Sequence, residues 1–393
     1  MKSLRLPVLM LMLVLGFFAC KKDEPVPQQF SLARDYSADV PLAWYKLFQD
    51  IDRYSPGYRP PAAARMLAYV GLAGYEAAVP GMPDYNSLAS RYAGLNIPSV
   101  ESGQEYHWPT AVNAAYHESF EYFYPHIQQS DLDRIHNLGH SFDTEFSGKI
   151  APAVFERSQK FGEAIATAVF NWSKTDAAGH EAYLNPQPSN YIPPSGPGLW
   201  QPTFPDYGNA LFPYWGQVRP FAMYSSEMLA KPPLAWSDDP NSQIYIQAKE
   251  TQIWADRVKS GLDEESRWIA EFWSDDFFQQ TFEPAGRQIA IASQVVDIEK
   301  PSLETAVELY AKMGMALCDA GIAVWKSKYV YNYERPIHYI RRNFDPNWTS
   351  NMNSPPIMRL VLFPKRIAST LRSVIRKRPS VCSSFSSVIE DAK

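Results

Sequence analysis

The chain has 393 residues, 46% of them hydrophobic, and a formal net charge of −5. That is long enough to bury a sizeable core, too apolar for a disordered protein, and without the basic bias of a nucleic-acid binder. The average hides a step: residues 357–393 carry eight Lys/Arg against Glu390 and Asp391, so this tail is +6 while residues 1–356 are −11. A step of that kind marks an appended segment or a sequence artefact.

In chain order, Lys2 and Arg5 precede an apolar run from Leu6 to Phe18 and a small-residue processing site at Ala19-Cys20. The pattern predicts an export signal over residues 1–20, too short to span a membrane. Cys20 resembles the acylated cysteine of bacterial lipoproteins, with Phe17 where Leu is usual. The expectation is an exported protein, lipid-anchored in the cell envelope through a tether at 21–33; ordinary cleaved secretion is the alternative. Cys318 and Cys382 then remain, which implies no disulfide framework.

Helical spacing of Val40, Leu42, Trp44, Leu47, Phe48 and Ile51 predicts a first helix over 38–54. Pro60-Pro61 pre-set the first turn of a second, through Ala78, whose small Ala and Gly residues allow close approach and a central position. Further helices are predicted over 110–124, 132–142 and 152–173. Between Asn185 and Pro240 fall twelve of the 33 prolines among many aromatics. Regular helix or central strand is excluded there, and the segment is expected to pack across the helices as a rim or lid. Helices resume at 242–260, 264–274, 284–298 and 302–325, the last apolar on most sides.

After that last helix stands Lys328-x6-Arg335-Pro336. If the helix continued, seven residues would be two turns, bringing Lys328 and Arg335 to one face roughly 10 Å apart, with Pro336 ending the run. A lysine point charge beside an arginine fork suits a phosphate-like anion. Two unrelated basic residues at a solvated helix end are the bland alternative. Asp319, inside the apolar helix, is a possible supporting residue paired with a basic group, or a residue facing a polar gap. Of the seven histidines only His136 and His140 have the i,i+4 spacing that can bind zinc, and no Glu lies between them; surface or capping roles are expected. The pairs Asp238-Asp239 and Asp275-Asp276 are expected to be solvated or to cap helices rather than to hold a cation.

With the helix Ala316 to Lys328 before it, the Lys-x6-Arg-Pro pattern resembles the first signature of the phosphatidic acid phosphatase type 2 and vanadium haloperoxidase superfamily. Phe272 to Asp276, Pro284 to Arg287 and the stretch from Gly198 through Trp200 look like its secreted haloperoxidase-like branch. The resemblance spans about residues 34–356. It implies an all-α, multi-helix bundle of the vanadium haloperoxidase type, in which Lys328 and Arg335 hold the equatorial oxygens of vanadate or phosphate. Vanadate as cofactor, with halide and hydrogen peroxide as partners, is implied in the same way.

The family pattern also requires a Pro-Ser-Gly-His segment and a later axial histidine. This sequence has no glycine after Gly321 and no histidine after His338. A frameshift or truncation near Pro356 is expected, since it accounts together for the charge step and the lost glycines. A continuous reading frame through codons 350–393 in the resequenced gene would refute it. The alternative is a natural basic helix with Leu360, Phe363, Ile367 and Leu371 on one face. The expectation is a haloperoxidase-like chain without useful turnover, the rivals being an acid phosphatase of the same architecture and a non-enzymatic surface-binding lipoprotein.

Overall fold

A computed structural model describes residues 30–351, except 59, 205, 206, 225 and 274–282. The export signal, Cys20, Asp275-Asp276, Cys382 and the basic tail lie outside the described residues. Ten α-helices run through the described residues: α1 Asp39–Ile51, α2 Pro60–Ala78, α3 Trp108–Phe123, α4 Gln129–Ser147, α5 Pro152–Lys174, α6 Gln243–Lys259, α7 Glu264–Trp273, α8 Pro284–Glu299, α9 Leu303–Tyr331 and α10 Pro336–Asn343. No strand occurs among them, only the isolated bridges Ser37–Ser302 and Leu199–Tyr333. The all-α expectation therefore holds.

Local chemistry explains the helix ends. Proline opens α5 and α8 at their first positions, where a missing N–H costs nothing. Glu283 caps α8 by accepting from Ala285 N and Gly286 N, and Ser302 caps α9 by accepting from Thr305 N. Helix α4 is longer than the predicted 132–142. Its end turns are polar and mostly exposed, so the apolar pattern fades before the backbone hydrogen bonding does.

Within the span read as one helical domain, 34–356, the chain forms two compact units. The first holds α1 to α5, α8 and α9 with the irregular segment up to Ala235, apart from 203–205. At its centre lies α2, buried at every residue after Pro60. Helices α2 and α9 approach to backbone contact: a Cβ on Gly71 would stand 2.8 Å from Ala311 Cα, and one on Gly314 would stand 2.4 Å from Leu67 O. Glycine at both positions is what lets the two helices touch.

The second unit holds α6, α7 and α10. Its small core is Ala248, Ile337, Tyr339, Ile340 and Trp348. Cations lie over its rings: Lys249 over Phe344 at 4.7 Å, Arg341 over Phe204 at 4.9 Å and Arg342 over Trp236 at 5.3 Å.

Candidate functional site

Helix α9 runs past the predicted end at Trp325 and carries Lys328 in its last turn. Lys328 is exposed, with its ammonium 4.2 Å from the centre of the Trp325 ring. The helix stops at Asn332, a left-handed C-cap with φ 45° and ψ 42°. Asparagine tolerates that conformation better than most residues. Residues 332–334 then pair with the Gly198 to Trp200 stretch, Trp200 N donating to Asn332 O (2.8 Å) and Glu334 N to Gly198 O (2.9 Å).

This corrects the two-turn argument. Arg335 is extended (φ −76°, ψ 147°) and is the N-cap of α10, and Pro336 opens that helix rather than closing the one before. Lys328 belongs to the first unit and Arg335 to the second. Both are exposed.

Asp319 is 3% exposed and accepts from three backbone N–H groups of the proline-rich segment: Phe221 (2.7 Å), Ala222 (2.7 Å) and Met223 (2.9 Å). Its partners are thus main-chain donors of a loop, neither a basic group nor an empty polar gap. Burial pushes its pKa up, and the three donors pull against that shift. Beside it, Arg65 and Asp176 form a buried ion pair (Nε to Oδ2 3.0 Å, each side chain 4% exposed). Asp176 also accepts from Arg219 N at 3.2 Å, and Arg219 donates to Tyr69 Oη and Trp172 O. The guanidinium of Arg219 lies 3.8 Å from the Trp172 ring centre. The irregular segment therefore docks on α2, α5 and α9 through buried charge, as well as through its aromatics.

In the second unit His338 stands with Nε2 3.4 Å from Thr203 Oγ1. Asp238 accepts from Arg342 and from Asn343 Nδ2, and Asp239 accepts from Asn241 N in the turn before α6. Asp238 thus pairs with side chains of α10, and Asp239 holds the turn before α6.

Histidines separated in the sequence come together on the face between α3 and α4. His117 and Glu121, one turn apart on α3, meet His136 of α4: Glu121 Oε1 is 3.0 Å from His117 Nε2 and 2.9 Å from His136 Nε2. The His140 ring centre is 5.5 Å from that of His117. Burial, followed by the neighbouring His140, lowers the His117 pKa to about 4, which keeps the ring neutral near neutral pH. Gly139 makes room for this ring, since a Cβ there would stand 2.5 Å from His117 Nδ1. Glu121 also lines an open cleft of about 350 Å³ with Tyr58, His126, His180 and Tyr183. The i,i+4 histidine pair was visible in the sequence. The carboxylate missing between its members is provided by the adjacent helix, at the matching i,i+4 position from His117.

The family model described as the VCPO second helical-bundle domain matches residues 308–355. A solved structure described as the first bacterial vanadium-dependent iodoperoxidase aligns at 27% identity, covering 81% of this chain and 76% of that one, with a TM-score of 0.72. An apo-type bacterial vanadium-dependent chloroperoxidase aligns at 16% identity over 71% of this chain and 64% of that one, with a TM-score of 0.45. No curated protein matches the sequence. By fold the chain is an all-α protein of the haloperoxidase type. That likeness to a vanadium-dependent iodoperoxidase extends over most of the chain, while the family match is confined to residues 308–355.

Proposed function

We propose that the chain is a haloperoxidase homologue that binds tetrahedral oxyanions weakly and does not turn over halide as a 393-residue polypeptide. In vanadium haloperoxidases a bound vanadate supplies peroxide activation for halide oxidation. The observation that carries the reading is the match of residues 308–355, which contain both Lys328 and Arg335, to a haloperoxidase helical domain. The likeness to an iodoperoxidase makes iodide the first halide to try. Lys328 and Arg335 are assigned to oxyanion binding from the sequence pattern, and the absence of a histidine after His338 is the reason for expecting no turnover.

The test supplies orthovanadate, peroxide and iodide or bromide to the purified chain and follows halogenation of a dye. The background rate is expected; sustained turnover that needs vanadate would overturn the claim of inactivity. Vanadate binding, followed by vanadium NMR, is expected to weaken by about tenfold or more in Lys328→Ala and Arg335→Ala, each lost charged hydrogen bond being worth roughly 1.5–3 kcal/mol. Release of phosphate from a monoester without peroxide would favour the phosphatase reading instead.

A further inference from the structure

We propose that His117, Glu121 and His136 form a binding site for a divalent transition cation of the zinc type, distinct from any oxyanion site. The three residues each present one ligand atom, and these atoms all lie within 4.8 Å of one another. Around a tetrahedral zinc with bonds of about 2.0–2.2 Å, ligand atoms are separated by roughly 3.3 Å. The two separations of 3.0 and 2.9 Å to Glu121 Oε1 are already near that value. Two imidazoles and one carboxylate are a donor set that late first-row cations prefer over magnesium or calcium.

A second observation points to a ligand. His117 Nε2 is buried and has no hydrogen-bond partner, because the Glu121 oxygen 3.0 Å away is out of line for one. A buried ring nitrogen left so needs an explanation, and metal coordination is one that uses its lone pair. The surroundings hold the ligands in place. Trp44 Nε1 donates to Asn113 Oδ1, and Asn113 Nδ2 donates to Gly139 O (3.1 Å) and Asp143 Oδ1 (3.0 Å). That network fixes the register of α4 against α3, and so keeps His136 opposite His117, the role outer partners play around metal sites. The partial exposure of Glu121 and His136 gives the ion a way in from solvent.

The experiment uses the full chain, stripped with chelator and titrated with Zn²⁺ by calorimetry at neutral pH. Saturable 1:1 binding is expected, with Glu121→Gln and His136→Gln each weakening it about tenfold or more. Both side chains are partly exposed, at 34% and 39%, and both variants are expected to keep the far-ultraviolet circular dichroism of the parent. His338→Gln, in the other unit, is expected to leave the affinity unchanged. As a measurement that needs no variant, Co²⁺ bound to the parent chain is expected to show the visible absorption of a tetrahedral ion. No saturable Zn²⁺ binding by the parent overturns the proposal. So does a loss in His338→Gln equal to that in His136→Gln.

Discussion

At the scale of single residues, buried polar groups hold the irregular part of the first unit, and their removal is the sharpest probe. Asp319→Ala strands three backbone donors, each worth about 1–3 kcal/mol when left buried and unpaired. Relaxation of the loop and access of water to it bring the expected loss to about 3 kcal/mol in chemical denaturation. Arg65→Met leaves Asp176 without its buried partner and is expected to cost about 3–5 kcal/mol by the same measurement. His107 tests the pH dependence. Its ring lies between Tyr36 and Phe146, Nδ1 is 2.7 Å from Thr110 Oγ1, and burial, with Lys149 nearby, lowers its pKa to about 4. A histidine lowered by folding is neutral in both states above about pH 6.5, so its contribution is fully present there. As pH falls from 6.5 toward 4 only the unfolded chain takes up the proton, and stability is lost. Urea midpoints between those pH values are expected to show about 2 kcal/mol more loss in the parent than in His107→Gln. Asp319 could be picked out in the sequence because a carboxylate inside an apolar helix needs a partner. The identity of the partner could not, since it lies 96–98 positions away in a segment without periodicity.

At the scale of elements, apolar spacing and prolines at first turns located the helices, while their ends followed from chemistry that spacing does not carry. Helix α9 continues to Tyr331 because its final aromatics find partners: Tyr329 Oη donates to Leu211 O at 2.6 Å, and Tyr331 Oη donates to Ala230 O. It stops where Asn332 adopts a left-handed conformation, which a side-chain pattern cannot announce. Asn332→Gly is expected to be tolerated, whereas Asn332→Val places a β-branched residue at positive φ and is expected to cost about 1–2 kcal/mol in thermal or urea unfolding. The histidine cluster shows the same limit. Each i,i+4 pair is legible on its own helix, but the face on which two helices meet is set by packing around Trp44 and Asn113. The central place of α2 was legible from its small residues, and the contact at Gly314 now explains it. Gly314→Ala puts a methyl against the Leu67 carbonyl and is expected to cost about 1–3 kcal/mol.

At the scale of the whole molecule, the two units differ greatly in how much apolar surface they bury. Among the described residues, the first has a core that draws on α1 to α5, α8 and α9, and the second rests on five buried side chains. Local opening free energy follows buried contact, so amide exchange is expected to be faster in α6, α7 and α10 than in α2 and α9. Mass spectrometry after timed deuteration checks this; equal protection of all five helices would show that burial does not rank them. The helical class was legible in the sequence because its pattern repeats over many turns. The division into units was not, because the second is assembled from stretches separated by 61 positions, between Ser274 and Arg335.

The docking of Phe221 to Met223 on Asp319 also bears on the order in which the chain folds. These loop residues precede their acceptor by almost a hundred positions, whereas Arg219 needs only Asp176, 43 positions before it. During synthesis the arginine anchor can therefore close first, with the Phe221 ring set against Tyr69 and Trp172, while the backbone donors of 221–223 have to wait for their acceptor until α9 has been made. A chain paused before residue 319 leaves three main-chain donors of this loop to water, and completing one helix withdraws them.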